Sequence, residues 1–515
     1  MRIGTRAVVL GGSMAGLCAA GAVAPFVDEV VVLERDLLPV DAEHRRGVPQ
    51  SKHPHFLLNS GRRAIEKLFP GYEDALIAAG ALHLNASMYT AHCEPGGWLP
   101  RKAGSMTMLY SSRILMERVL RDQVRKIDNI TIREQVDVRG LVFDHPGTPG
   151  GRVVGVRMLA DSDTGEEILC ADLVIDSLGR GSGVSDWLVA AGWAPVSVQT
   201  LDAKASYSSR WYERPTGADT PDEWWWQMMS VLPVPEHAPD HPVEHEYLCI
   251  VFPIEANKVI ICMGSWGHPM PRKLDAFETA ALRIRTPAFG KAMQACAPLH
   301  DDIHFTRSTG NKWRRYDQLR DYPLGLVCIG DSICAFNPLY GQGMSSAAHS
   351  ALVLNDLLRS ASSVDRAFHS RFLAAQRESL LVPWTLALAR DRGYDHAEGT
   401  EVARPWQRRL VGRYSWSAFN LISSAARDDA VIEEHFAKVF NLDESITEFA
   451  RNPRVILGLV WHAIKTKLGR VKYPVTAPPE ANPPSHDQTS GNLADYSGIL
   501  QAEPLRATKA SSTDP

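Results

Sequence analysis

No stretch of the chain approaches the ~20 consecutive apolar residues that a membrane-spanning helix needs, which argues against an integral membrane protein. The 8 cysteines never fall in a C-x-x-C pair, which removes a zinc ribbon or a redox dithiol and points to a reducing, cytoplasmic setting. Neither charge sign dominates: 55 Lys and Arg face 59 Asp and Glu, a formal net charge of -4, so nothing draws the whole chain toward nucleic acid. No internal repeat is present, and that excludes a solenoid. The start MRIGTRAVVLGG has basic residues ahead of an apolar run, but Gly11-Gly12 breaks the run at once, so it is not read as a targeting segment. His237, His241 and His245 recur every four residues among acids, yet Pro235, Pro239 and Pro242 forbid the helix that would align them. No metal site is therefore expected. What remains is ordinary for a soluble enzyme, with 45% hydrophobic and 22% charged residues. At 515 residues the chain exceeds what one hydrophobic core usually serves, so two or more packed domains are expected.

The first informative stretch is AVVLGGSMAGLCAAGAVA, residues 7–24. A short apolar strand over Arg6–Leu10 runs into the loop Gly11-Gly12-Ser13 and then into an alanine-rich helix from Met14 through Ala15 and Gly16 to Val23. The strand EVVVLERD follows, ending at Glu34 and Arg35. This is a strand–loop–helix–strand unit with a near-complete G-x-G-x-x-G pattern at Gly11, Ser13 and Gly16. Gly11 permits the tight turn, and Gly16 lets the helix pack close on the strand. The middle position must let a pyrophosphate reach backbone N–H groups at a helix N-terminus, where the dipole favours anions. Serine adds only a CH2OH, whose hydroxyl can itself donate to phosphate. Glu34 ends the second strand at about the spacing at which an acid meets a ribose 2′-hydroxyl.

Farther along, SSRILMERVLRDQVRKI (111–127) reads as an amphipathic helix, and 60–80 as helical. Residues 130–176 alternate strands and turns up to ADLVIDSLG. Extended pieces fill 196–270, including a hairpin turning near Glu255-Ala256-Asn257, and imply an antiparallel sheet. A helix over about 274–297 is expected next. Then GLVCIGDSICAFNPLYGQGMSSAAHSALVLNDLL gives a second strand, a Gly330-Asp331 pair, a loop with Pro338, Gly341 and Gly343, and a long helix from Gly343-Met344. The strand end delivers one carboxylate, suited to a ribityl hydroxyl. The loop presents backbone N–H groups suited to the polar edge of a flavin ring. A nicotinamide dehydrogenase has no need of this second cradle. Residues 364–470 read as mostly helical, and the Pro- and Ser-rich stretch from 473 as a disordered tail.

On VVLGGSMAGL, VVLERD, RRGVPQSKHPHFLL, SSRILMERVL, ADLVIDSLGRGS, FPIEANKVIICMGS and GDSICAFNPLYGQGMSSAAHSALVL, residues 7 to about 360, the chain resembles flavoprotein monooxygenases of the para-hydroxybenzoate hydroxylase type. Within them it most resembles bacterial FAD-dependent epoxidases of polyether biosynthesis. The region beyond 364 matches more loosely, through RDRGYDHAEGTE. The resemblance implies an α/β fold: a Rossmann-like FAD-binding domain (1–195 and 305–362), an antiparallel-sheet substrate domain (196–304), a C-terminal helical region (363–472) and a tail (473–515). It implies that Gly11, Ser13 and Gly16, with Gly12, Met14 and Ala15 between, meet the FAD pyrophosphate. Glu34 and Arg35 would stand at the adenosine ribose, Arg113 by the phosphates, Asp331 at the ribityl chain, and Pro338 and Gly341 to Met344 against the isoalloxazine. Arg45 to His55 would cover the flavin. DLVIDSLGRGS corresponds to a region where such hydroxylases carry an Asp-Gly signature. Here Asp176 is followed by Ser177, so the match is partial; with no second G-x-G-x-x-G for NAD(P)H in the sequence, electrons are expected either directly from NAD(P)H at the flavin's own face or from a separate flavin reductase.

The expected reaction is insertion of one oxygen atom from O2, by way of a flavin hydroperoxide, into a small lipophilic substrate by epoxidation or hydroxylation, with no side chain named as catalytic. The alternatives are a flavin-dependent reductase or cyclase of isoprenoids, and a non-catalytic flavin-binding protein. WWWQMM (224–229) resembles the tryptophan signature of flavin halogenases but lacks the isoleucine-proline that should follow, and reads instead as a strand lining the substrate cavity. His53 and His55 read as an ordinary polar loop pair, with a covalent flavin anchor or a substrate contact as the alternatives. RVILGLVWHAIKTKLGRVKY (454–473) is a basic amphipathic stretch, expected to pack on the catalytic domains, with a peripheral membrane contact as the alternative.

Overall fold

The computed structural model describes residues 2–94, 97–159, 165–233, 247–307, 309–410, 414, 416–470 and 478–479. The loop with His237, His241 and His245, and the tail from 473 apart from 478–479, lie outside the described residues.

The apolar strand read at the N-terminus is β1, Gly4–Leu10, followed by α1, Met14–Val23, and β2, Val27–Leu33. Together with Ile130–Arg133, Leu173–Asp176 and Leu326–Cys328 the two strands form a five-stranded parallel sheet. Its order is Leu326–Cys328, Leu173–Asp176, β1, β2, Ile130–Arg133. The last four residues of β1 and of β2 are all buried, as expected of parallel strands covered on both faces. One cover is α1, whose small side chains let it sit close to the sheet; the other elements packed around it include helices Arg113–Val124 and Gly343–Ser360.

The second layer is an eight-stranded sheet built on Ala205–Glu213, Lys258–Trp266, Leu248–Ile254 and Met228–Val231. The hairpin turns where the sequence indicated: Ala256 and Asn257 both have positive φ, and the Lys258 N–H donates to Glu255 O at 3.3 Å, the geometry of a type I′ turn. Thr90–Glu94 extends the sheet by pairing in parallel with Met228–Val231, so it draws on chain from well before residue 196. Side chains alternate between two faces. Trp211, Met228, Phe252 and Ile260 lie on one, toward Phe56 and Tyr110. Tyr212, Met229, Val251 and Ile261 lie on the other, with Phe277 and Phe289.

Three local expectations change. The 274–297 segment is two helices, Leu274–Leu282 and Pro287–Ala295. Pro287 cannot donate and restricts Thr286 to an extended conformation, and the Thr286 side chain caps the second helix by accepting from Ala288 N–H. Likewise 60–80 divides at Pro70-Gly71 into Asn59–Leu68 and Tyr72–Ala78. The 224–229 stretch is a strand only from Met228; Trp224 and Trp226 precede it and hold the Arg214 guanidinium 5.0 Å from each ring. Trp226 packs in the cluster with Phe277 and Phe289, on the sheet face turned away from Phe56. The C-terminal region is helical, from the long helix Arg366–Asp391 to Pro453–Lys467. Among the described residues no helix is long and apolar enough to cross a membrane.

Candidate functional site

Three neighbouring strands of the parallel sheet end level with one another. Leu10 pairs with Asp176, and Asp176 with Cys328. The loops that follow, Gly11–Ser13, Ser177–Ser182 and Gly330–Asp331, therefore emerge side by side at the carboxyl edge, where ligands of parallel α/β sheets bind. Gly16 is required by closeness: a Cβ there would lie 1.8 Å from Gly11 O and 2.7 Å from Ser177 Oγ. Gly330, with φ +72°, is required twice over, since its Cβ would also lie 2.8 Å from Ala15 Cβ. The second glycine motif thus rests directly on the first turn of α1. A Cβ on Gly343 would meet only Asp331 Oδ1, at 3.7 Å. Ser13, Ala15, Gly330, Asp331 and Gly343 form a continuous strip.

Both helices that open onto this strip start without a side-chain cap: Ser13 and Gln342 accept no backbone N–H. Helices Arg113–Val124, Arg366–Asp391 and Pro453–Lys467, by contrast, are capped by Ser112, Asp365 and Asn452. An uncapped first turn leaves N–H donors for an anion or a polar ring edge.

Around the first loop the charges interlock. Gly12 N–H donates to Glu34 Oε2 at 2.8 Å, and Asp36 N–H to Oε1 at 3.0 Å. Arg113 donates to Ser13 Oγ at 2.8 Å, and Ser13 in turn to Glu117 Oε2 at 2.9 Å. Arg45 reaches Glu117 at 2.9 Å, Asp36 at 2.8 Å and Glu34 at 3.2 Å. Burial alone would raise the Glu117 carboxyl, but the Arg113 and Arg45 guanidiniums outweigh it and hold the group below its usual range. Arg45 and Arg113 are thereby fixed beside the glycine loop with Glu34 and Ser13. Arg35 stands apart, exposed. Glu117 and Asp36 were not singled out from sequence; the i, i+4 spacing of Arg113 and Glu117 was the available signal.

At the second loop, Asp331 Oδ2 lies 3.4 Å from Arg180 Nε. Arg180 also donates to Gly310 O and Phe336 O, tying the SLGRGS loop to Asp331. Asp176 is fully buried and turned inward, accepting from Leu178 N–H at 3.0 Å and Ser182 Oγ at 2.6 Å. It holds its loop rather than facing the cleft.

Over the strip lies the 45–56 segment. His53 Nδ1 is 2.8 Å from Ser209 Oγ, and its ring meets Tyr207 edge-on at 4.5 Å. Trp211 Nε1 donates to Lys52 O at 2.9 Å. Phe56 packs on Phe252 at 4.9 Å and lies against Gly341, whose Cβ would be 3.2 Å away. Leu339 sits against Gly264, the cross-strand partner of Tyr207. The aromatic face of the sheet, the 45–56 segment and the Pro338–Gly341 loop therefore converge. Burial drives the His53 imidazole down to about 3, with His55 adding to it; burial and Arg113 take His55 down to about 4.

A further group escaped the sequence reading. Asp391, fully buried at the end of the long C-terminal helix, accepts from Trp266 Nε1 at 3.1 Å, Asn311 Nδ2 at 2.8 Å, Asn337 Nδ2 at 3.2 Å and the Tyr340 hydroxyl. One carboxylate so fastens the sheet, the strand Asn311–Arg314 and both ends of the Asn337–Tyr340 loop. Among the described residues no group of three or more His, Cys, Asp or Glu is arranged to hold a metal ion.

No protein-family model matches the chain. It is 29% identical over 461 residues to Protein Rv3254 of Mycobacterium tuberculosis (strain ATCC 25618 / H37Rv), a match that covers 85% of this chain and 90% of that protein. Among solved structures it is similar to the flavin-dependent brominase Bmp2, with a TM-score of 0.57 at 12% identity over 91% of this chain and 99% of that one. It is similar also to p-nitrophenol 4-monooxygenase PnpA from Pseudomonas putida DLL-E4, with a TM-score of 0.58 at 15% identity over 86% of this chain and 99% of that one. With its parallel sheet, its large, mainly antiparallel sheet and its C-terminal helices, the chain has the fold of the flavin-dependent monooxygenases and halogenases of the para-hydroxybenzoate hydroxylase type.

Proposed function

We propose that the protein is an FAD-dependent monooxygenase acting on a small lipophilic substrate, by epoxidation or hydroxylation. The observation that carries this reading is the strip of Ser13, Ala15, Gly330, Asp331 and Gly343, where two uncapped helix starts and one carboxylate lie together at the carboxyl edge of the parallel sheet. The residues present fit FAD. Gly16 and Gly330 let the two glycine loops and the start of α1 pack against one another, Gly343 leaves its side open, with Asp331 Oδ1 the nearest atom at 3.7 Å, and the first-turn N–H groups of α1 suit a pyrophosphate. Glu34 stands where an adenosine ribose would meet it, and Asp331 where a ribityl chain would pass. When bound, FAD supplies the redox chemistry: with O2, two electrons and two protons, one oxygen atom goes to the substrate and the other leaves as water.

The chain's own residues then have three tasks. Arg113, pinned by Glu117 and Ser13, orients positive charge at the phosphates. Asp391 holds the Asn337–Tyr340 loop through two of its four hydrogen bonds. Phe56, Tyr207, Trp211 and Phe252 make the roof apolar and keep water from the reacting atoms. His53 stays neutral, so the roof carries no charge there. Tyr207, Ser209 and Leu339 bound the space available to substrate, and its aromatic lining favours a lipophilic molecule. The electrons come from NAD(P)H or a separate reductase.

The test is to reduce the FAD-loaded protein and supply 18O2 with a lipophilic alkene or phenol. The reading expects 18O in an epoxide or alcohol product and none when the label is in water. Hydrogen peroxide as the sole product with every substrate offered favours a reductase, a cyclase or a binding protein instead. Purified protein that takes up FMN in preference to FAD overturns the cofactor assignment.

A further inference from the structure

The helix Pro453–Lys467 has two unlike faces. One packs into the small C-terminal core: Val455 and His462 are buried, among Ala425, Ile432 and Phe449, and His462 Nε2 lies 2.8 Å from Ser424 Oγ. The other carries Ile456, Leu457, Val460, Trp461 and Ile464, continued by Leu468, all exposed; Leu457 is 70% exposed, Trp461 57% and Leu468 61%. At about 100° per residue these six fall within an arc of roughly 140°, one coherent apolar face. A soluble surface rarely leaves so many large apolar side chains contiguous and uncovered.

The charge around this face identifies its partner. Between Glu448 and Arg470 the sequence has no acid, while Arg451, Arg454, Lys465, Lys467 and Arg470 are all cationic. That is opposite in sign to the chain's overall charge of -4. Arg451, Arg454, Lys467 and Arg470 are exposed, and the Lys465 ammonium lies 6.0 Å over the Trp461 ring. The acids facing this helix from the neighbouring segment lie on its packed side: Asp428 is 3.7 Å from His462, and a Cβ on Gly458 would lie 2.9 Å from Asp429 Oδ2. An apolar face bearing a tryptophan and bordered by cations, on a 15-residue helix too short to span, has the character of a helix that lies in the plane of a lipid interface. A second copy of the chain would bring the same cations against these, and like charges would oppose that pairing.

We propose that this face docks the protein onto an anionic lipid bilayer, with Leu457, Val460, Trp461 and Ile464 entering the acyl boundary and the flanking cations meeting lipid phosphates. Docking needs neither FAD nor turnover, so it stands or falls apart from the flavin reading. The test is co-sedimentation of the full chain with vesicles of phosphatidylcholine alone and of phosphatidylcholine mixed with phosphatidylglycerol. Binding is expected to the mixed vesicles, to weaken as salt is raised, and to be slight on phosphatidylcholine alone. Leu457→Glu with Trp461→Glu should lower the bound fraction about tenfold. Arg454→Glu with Lys465→Glu, both on the helix's polar border beside the apolar arc, should remove the preference for anionic lipid while the thermal midpoint stays unchanged. Wild-type protein that remains in the supernatant with both vesicle types overturns the proposal. So does a wild-type dimer in sedimentation velocity that Leu457→Glu turns into a monomer, because the face is then buried against a second copy.

Discussion

Replacing Asp391 by Asn changes one atom in a place where all four neighbours bring donors. The new amide has a single oxygen. Its NH2 must face either Trp266 Nε1 and the Tyr340 hydroxyl, or Asn311 Nδ2 and Asn337 Nδ2. Tyrosine can reverse and accept, but the indole N–H and the two amide groups cannot all be served. Each hydrogen bond to a buried charge is worth about 1.5–3 kcal/mol. The variant also takes the negative charge from beside the half-buried Arg390, whose guanidinium stacks 4.0 Å over Trp266. Against this, burial already works against the Asp391 carboxylate and raises its pKa, with the bond from Tyr340 the largest opposing influence; part of the loss is thereby recovered. The net cost is about 2–4 kcal/mol, a fall of roughly 2–4 °C in the thermal midpoint of a chain this long. Because Asn337 and Tyr340 frame the Pro338–Gly341 loop, FAD affinity should drop about tenfold as well. Differential scanning fluorimetry with and without FAD, and quenching of flavin fluorescence on titration, read the two effects separately. Asp395→Asn, at an exposed carboxylate four residues on, serves as the control. The reasoning is refuted if Asp391→Asn melts within a degree of wild type. If it melts earlier but binds FAD unchanged, Asp391 supports the fold and does not position the loop.

Asp331→Ala should weaken FAD about ten- to a hundred-fold in the same titration, the equivalent of one hydrogen bond to a charged group; unchanged affinity would move the ribityl chain elsewhere. Gly16→Val should abolish FAD uptake, since its Cβ alone would overlap Gly11 O, whereas Ser13→Gly should stay within a few-fold, leaving Arg113 and Glu117 still paired at 2.8 Å; equal titrations of the two would sink the assignment of the loop. Stability should decline as pH falls from about 6.5 toward 4, because His53, held down to about 3 by burial and then by His55, stays neutral in the fold while the unfolded chain takes up its proton. Over that window His53→Gln should flatten the dependence of unfolding free energy on pH by about 1.4 kcal/mol per pH unit, and an unaltered slope in denaturant titrations would show that His53 is not the group responsible.

What could be read from sequence was local. β1, α1 and β2 announce themselves because strand, glycine turn and helix follow within thirty residues, and Glu34 falls where the second strand must end. The same holds for Gly330-Asp331 and the helix behind it. Pro287 and Pro70-Gly71 also carried their message, as breaks within stretches otherwise periodic enough to read as single helices. The parallel pairing of Thr90–Glu94 with Met228–Val231 left no trace, because neither short piece encodes its distant partner. Trp224 to Trp226 looked like a lining because aromatic composition says nothing of which sheet face a residue takes. Asp391 was hidden by its surroundings: in RDRGYDHAEGTE a charged residue is indistinguishable from a solvated one until Trp266, Asn311, Asn337 and Tyr340, from four separate segments, close around it.

The level ending of Leu10, Asp176 and Cys328 also sets an order of events during synthesis. The parallel sheet needs its edge strand Leu326–Cys328, and the strip needs Asp331, yet the glycine loop at residue 11 leaves the ribosome about 300 residues earlier. At roughly 5–20 residues per second, the N-terminal half-site waits about a quarter of a minute to a minute for its counterpart. During that interval β1 has only β2, Ile130–Arg133 and Leu173–Asp176 for company, and the apolar edge that Leu326–Cys328 will cover stands open. On the FAD reading, cofactor capture is thus a late event, possible only once the chain has been made past Gly343.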